Sequence, residues 1–206
     1  MREVVLILLL TTGCGLIFQE SEVTDRGEAP RAEEAADRLP GGLGTLHQEE
    51  VSMRLRRGEL EVMVTPLDEE ITRTTAPDTW SRLSALADLH RTELRNRTGA
   101  DQVRLFLVAL HSESEAVAFE PDDLTLVSRG LRFRPLEIQG LTPGWDRHRV
   151  GPRETLLAIY AFPTDIDLER QVEVEYREVR SRDWEEILPR IQLEQGRVRA
   201  RAGGDY

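Results

Sequence analysis

The chain has 206 residues, and 27 Lys+Arg against 38 Asp+Glu leave a formal net charge of −11 at pH 7. That balance argues against nucleic acid, whose phosphates need a basic face, and against peripheral binding to anionic lipid. Every basic residue is arginine, which excludes lysine nucleophiles and Schiff-base chemistry, and 5% aromatics make a thin sugar-stacking surface.

Chain order begins with MREVVLILLLTTGC. Arg2 precedes the apolar run Val4 to Leu10; Thr11, Thr12 and Gly13 follow, and Cys14 is the only cysteine. A charged start, a short apolar run and a small residue before the cut describe a secretory signal. The run falls far short of the ~20 apolar residues that a membrane span requires. With Gly13-Cys14 at its end, the segment resembles the lipobox of bacterial lipoproteins, although Thr11 stands where the usual motif has leucine. The resemblance implies a signal peptide over 1–13 and acyl chains such as palmitate on Cys14. Burial of those chains stabilises anchoring by about 0.8 kcal/mol per methylene. Gly15, with no aspartate after the cysteine, resembles outer-membrane sorting in diderm bacteria. In a monoderm the same protein sits on the outer face of the plasma membrane. A lone cysteine forms no internal disulfide, so the exported domain must be stable without one.

Residues 14–58 read as a lipid-anchored flexible tether. QESEVTDRGEAPRAEEAADRLPGGLG is rich in Glu, Ala, Pro and Gly, and such composition cannot bury enough surface to offset ordering entropy. The folded domain is expected over 59–206. LEVMV (60–64) alternates, with Leu60, Val62 and Val64 on one face, as in a strand. A helix is expected over about 79–96, capped by Asp78 or Thr75, with Pro77 near its first turn and Gly99 after its end. Trp80, Leu83, Ala87, His90 and Leu94 form its apolar stripe. VRLFLVAL (103–110) and ETLLAIYAF (154–162) are apolar on both faces and are placed centrally. Residues 116–119, LTLV (124–127) and LRFRPL (131–136) read as further strands, the last two joined at Ser128-Arg129-Gly130. Residues 141–152 read as a loop, and QVEVEYREV (171–179) as an alternating strand. A helical turn over 184–188 and a weak strand over 191–198 complete the reading. Strands at this spacing predict a mainly β fold, an antiparallel β-sandwich with one inserted α-helix.

The run VRLFLVALHSESEAVAFEPDDLTLVSRGLRFRPL, a loop, and GPRETLLAIYAF resembles the immunoglobulin-like domains of unknown function found on many bacterial lipoproteins. The matching positions are Pro121 to Leu126, Gly130 to Pro135 and Gly151 to Glu154, within about 100–180. The family's polar bend carries an asparagine, where this chain has His111-Ser112-Glu113-Ser114, and the helix is an insertion. The resemblance implies an Ig-like fold and names no ligand.

Chemistry-bearing motifs are sparse. His47, His90, His111 and His148 are not at metal-ligand spacing, and no Gly-x-Ser-x-Gly elbow occurs. Glu120, Asp122 and Asp123, like Asp165 and Asp167, offer oxygen ligands for calcium, although solvated turns have the same composition. No catalytic residue, metal site or cofactor is expected. The candidate partner-binding residues are Trp145, Arg147 and Arg149 in the loop 141–152. An aromatic flanked by arginines is the composition of a binding hot spot, and equally of a plug at the end of a sandwich. The expected function is non-enzymatic: a cell-envelope interaction or structural module, held to the membrane through Cys14, with an envelope protein as partner. The alternative is a small-ligand or metal-binding lipoprotein that serves a transporter or sensor.

Overall fold

The computed structural model describes residues 42–202. The expected signal peptide, Cys14 and residues 15–41 lie outside the described residues. Eleven strands run in chain order: β1 (Met53–Arg57), β2 (Leu60–Pro66), β3 (Arg104–Ser112), β4 (Val117–Ala118), β5 (Leu124–Ser128), β6 (Leu131–Phe133), β7 (Glu137–Gly140), β8 (Arg149–Val150), β9 (Glu154–Phe162), β10 (Val172–Tyr176) and β11 (Val179–Ser181). The helices are α1 (Glu69–Thr72), α2 (Pro77–Thr98) and α3 (Trp184–Ala202). All strand pairs are antiparallel, in a five-stranded sheet ordered β1-β2-β3-β9-β7, a four-stranded sheet ordered β11-β10-β5-β6, and a small β4-β8 ribbon. None of the described helices is long and apolar enough to cross a membrane.

The two larger sheets enclose the main core. Phe106, Val108 and Leu110 of β3 and Leu156, Ala158, Tyr160 and Phe162 of β9 meet Leu126, Val172 and Val174 of the second sheet. The alternate residues of the same two strands, Leu105, Leu107, Ile159 and Ala161, pack instead with Leu83, Ala87 and Leu94 of α2. Successive strand residues point to opposite faces, so β3 and β9 need apolar residues at every position only because both faces are covered. Their central placement follows: β3 lies between β2 and β9, and β9 between β3 and β7. Helix α2 is thus the cover for the outer face of the first sheet. Its first residue is Pro77, after an Ala76 N-cap with no side-chain cap bond, so neither Asp78 nor Thr75 caps it. Gly99 ends it at φ +67°, donating its N–H to the Arg95 carbonyl, a conformation glycine adopts without steric cost.

The expected domain boundary at 58/59 is corrected by the structure, which places residues 43–57 of the expected tether in the fold; residues 14–41 of it lie outside the described residues. Leu43, Leu46, Val51, Met53 and Leu55 are buried, and β1 pairs along its length with β2. The polar composition upstream hid a short alternation, Val51, Met53, Leu55, which is a strand signal in its own right. Gly44 runs against α1's C-terminal turn, where an added Cβ would fall on the Thr74 carbonyl.

Three further differences concern the C-terminal half. The strand expected over 171–179 is the hairpin β10–β11, turning at Arg177-Glu178 with Arg177 at φ +53°. Arg177 is held there by Asp123, whose carboxylate accepts from Nε at 2.7 Å and raises the guanidinium pKa. The segment 131–136 breaks after Phe133, and residues 137–140 join the other sheet as β7. The expected turn over 184–188 and strand over 191–198 are one helix, α3. Trp184, Ile187, Ile191, Glu194 and Val198 are its buried residues, spaced three and four apart as a helix face requires. Pro189 and Gly196 inside the helix disguised that period. Glu194 is 1% exposed; it accepts from Arg201 at 3.0 Å, Arg197 at 3.2 Å and Thr45 at 3.3 Å. Arg201 also donates to the Leu43 carbonyl, so a buried charge cluster ties the chain's entry into the fold to its last helix.

Candidate functional site

Trp145 does not project into solvent. It begins a short 3-10 turn (Trp145–Arg147) and is 5% exposed. Its ring lies 5.0 Å from Phe119 and 6.2 Å, edge-on, from Tyr160. Of the two readings open in the sequence, this geometry is that of a core side chain, and the reading of Trp145 as an exposed anchor is withdrawn. Arg147 is exposed but folded back, pairing with Glu154 at 3.1 Å and donating to the Gly144 carbonyl. Arg149 is exposed in β8 and makes no ion pair among the described residues. Of the three residues, only the two arginines are exposed.

Trp145 instead shapes a surface beside it. The ring rests on Gly140 of β7, where an added Cβ would stand 2.7–2.8 Å from three ring and Cβ atoms of Trp145. Gly140→Ala should therefore cost about 1–3 kcal/mol, the usual penalty of overpacking; urea titration measures it, and an unchanged midpoint would show the ring free to move. Beyond Gly140 lies a groove of about 670 Å3 that runs along β7. One wall is Pro121, Asp122, Trp145, Asp146 and His148; the other is Arg97 with Glu137 and Gln139.

Each wall has a sequence cause. Arg97 comes from the last turn of α2 and bridges Glu137 and Gln139. Pro121 is fixed by the buried Tyr160, whose hydroxyl donates to its carbonyl at 3.1 Å. Burial first, then Tyr176 and Asp122, raise the Tyr160 pKa far above its usual value, so the phenol stays a neutral donor. Asp122 and Asp146 are exposed and make no ion pair among the described residues. His148 sits at φ +50° with its ring 5.7 Å from Phe119.

The floor is the outer edge of β7. Among the described residues this strand ends the five-stranded sheet and pairs only with β9, Glu137 opposite Ala161 through Gly140 opposite Ala158. The Leu141 N–H donates to the Leu157 carbonyl at 2.8 Å. In an antiparallel pair the hydrogen-bonding residues alternate, so Glu137, Gln139 and Leu141 face β9. The backbone N–H and C=O groups of Ile138 and Gly140 face the groove. β7 itself was missed because four residues, EIQG, carry too short a pattern to read.

Two other concavities differ in character. One of about 590 Å3 between α1 and α3 contains the Arg104–Asp68 pair at 2.8 Å. The other, about 560 Å3, lies on the outer face of the second sheet. There Glu175 and Glu173 are already engaged, by Arg132 and Arg180 and by Arg180 and Arg182. Asp123 and Asp167, two of the possible calcium ligands, are paired with Arg177 and Arg170. No group of three His, Cys, Asp or Glu is placed to hold a metal among the described residues.

No protein-family model and no curated protein matches the chain. Among solved structures it is similar to a functionally unknown protein from Listeria monocytogenes EGD-e. The identity is 13%, the match covers 66% of this chain and 75% of that one, and the TM-score is 0.31.

Proposed function

We propose that the protein is an exported bacterial lipoprotein, anchored through acyl chains on Cys14, whose domain is an Ig-like sandwich with an inserted helix. In this reading it acts without catalysis, as an interaction module of the cell envelope. The observation that carries it is the leader MREVVLILLLTTGC, with the chain's only cysteine directly after Gly13. Two antiparallel sheets around one core support the Ig-like assignment. An open groove with an unpaired strand edge supports binding of a protein partner rather than an enclosed small ligand.

Metabolic labelling with a palmitate analogue tests the anchor. Wild-type chain should take up label and stay with the membrane fraction, and Cys14→Ser should lose both. Equal labelling of the two would overturn the reading.

A further inference from the structure

We propose that the outer edge of β7 receives an extended, basic peptide as an added antiparallel or parallel strand. The inference rests on the interaction-module reading and names its docking site and the chemistry of its partner. Sheet edges are templates for pairing unless a protein blunts them. The other edge of this sheet is blunted: β1 is held to the β10–β11 turn by Arg57–Glu178 at 2.9 Å, and its Arg54 N–H donates to the carboxylate of Asp183, just before α3, at 2.9 Å. Among the described residues, no ion pair or backbone bond of this kind covers the outer edge of β7. The Ile138 and Gly140 backbone groups point away from β9 toward the groove, and among the described residues only the Gln139 side chain hydrogen-bonds one of them, the Gly140 carbonyl, at 3.4 Å.

Charge sets the partner. Side chains of an added strand alternate between two sides. On the sandwich side they meet Asp122 and Asp146, which are exposed and make no ion pair among the described residues. On the helix side they meet Arg97, already neutralised by Glu137; Leu136, 46% exposed, adds an apolar surface at the groove's end. A strand that alternates basic and apolar residues satisfies both sides. A second copy of this chain does not, because β7-to-β7 pairing would bring two sets of Asp122 and Asp146 together.

The probe is a synthetic peptide of about seven residues that alternates arginine and valine, titrated into the full chain and followed by amide hydrogen exchange and fluorescence anisotropy. Binding should slow exchange at Ile138 and Gly140. Ile138→Pro removes an outward N–H and leaves the bonds to β9 in place, which edge strands tolerate. It should weaken binding about tenfold, well beyond Ile138→Ala, which loses the same packing of the half-buried Ile138 against the core but keeps the N–H. Asp122→Asn with Asp146→Asn should weaken it several-fold and flatten its salt dependence. A glutamate–valine peptide, or the arginine peptide N-methylated on alternate amides along its pairing edge, should not bind. Equal binding of the N-methylated peptide, no binding of the arginine peptide at millimolar concentration, or self-association through β7 would overturn the proposal. If Ile138→Pro unfolds the chain, the exchange data and the N-methylated peptide decide alone. These failures are separate from failure of the lipoprotein reading, which the Cys14→Ser labelling decides.

Discussion

A chain that begins at Gly58 should lose cooperative folding. The deletion removes β1 and exposes the full length of β2, whose residues from Leu60 to Pro66 are then paired only with β3. It also removes five buried apolar side chains, Leu43, Leu46, Val51, Met53 and Leu55. Each stabilises the fold by about 1.5–3 kcal/mol, and the total is comparable to the whole stability of an ordinary domain, about 5–15 kcal/mol. Glu194, buried beside Arg197 and Arg201, loses Thr45, and Arg201 loses the Leu43 carbonyl. A carboxylate that is buried and loses a partner is costly. Thermal unfolding followed by circular dichroism measures the outcome. The expected result is a broad, non-cooperative trace for the chain from Gly58 and a sharp transition for the chain from Gly41. A melting point for the shorter chain within a few degrees of the longer one would mean that residues 43–57 only decorate the fold.

Legibility in the sequence followed the length and symmetry of each pattern. β3 and β9 were readable because nine-residue strands with no polar face have few alternatives, and α2 because its stripe of Leu83, Ala87 and Leu94 is bounded by Pro77 and Gly99. β1 was lost behind an acidic stretch whose composition outweighed its three alternating residues. α3 was lost because Pro189 breaks the local propensity at a point where tertiary burial of Trp184, Ile187 and Ile191 holds the helix together. The hairpin β10–β11 was hidden because its turn uses Arg177 at positive φ, where glycine or asparagine is the usual signal. Of the site, the sequence singled out the loop 141–152 on the expectation of an exposed Trp145, which the structure buries. The loop carrying Trp145 does border the groove, but the tryptophan forms its wall from within. The binding edge belongs to a four-residue strand with no signature, and Arg97 and Asp122 reach it from elements 40 and 15 residues before Glu137.

Trp145→Ala should cost about 3–5 kcal/mol of folding stability, the range for removing a large buried aromatic. The ring touches Phe119, Tyr160 and Gly140 at once, and these come from three separate parts of the chain. Two of these neighbours cannot move into the space: Gly140 has no side chain to extend, and Tyr160 is tied to the Pro121 carbonyl. A large part of the cavity term is therefore expected to remain. For a domain of this size about 1 kcal/mol moves the melting temperature by roughly 2–4 °C, so the variant should melt about 6–20 °C lower. Its effect on peptide capture separates two roles. If Trp145 serves only to hold Gly140 and the wall of the groove, Trp145→Phe should restore most of the stability and nearly all of the binding of the arginine–valine peptide, because Phe keeps an aromatic face against Gly140. If the indole itself contacted a partner, Trp145→Phe would recover stability but not binding. Urea titration and peptide anisotropy on the two variants measure both quantities. The burial of Trp145 argues for the first outcome: a residue that determines where the strand edge sits, and leaves the contacts themselves to the backbone of Ile138 and Gly140.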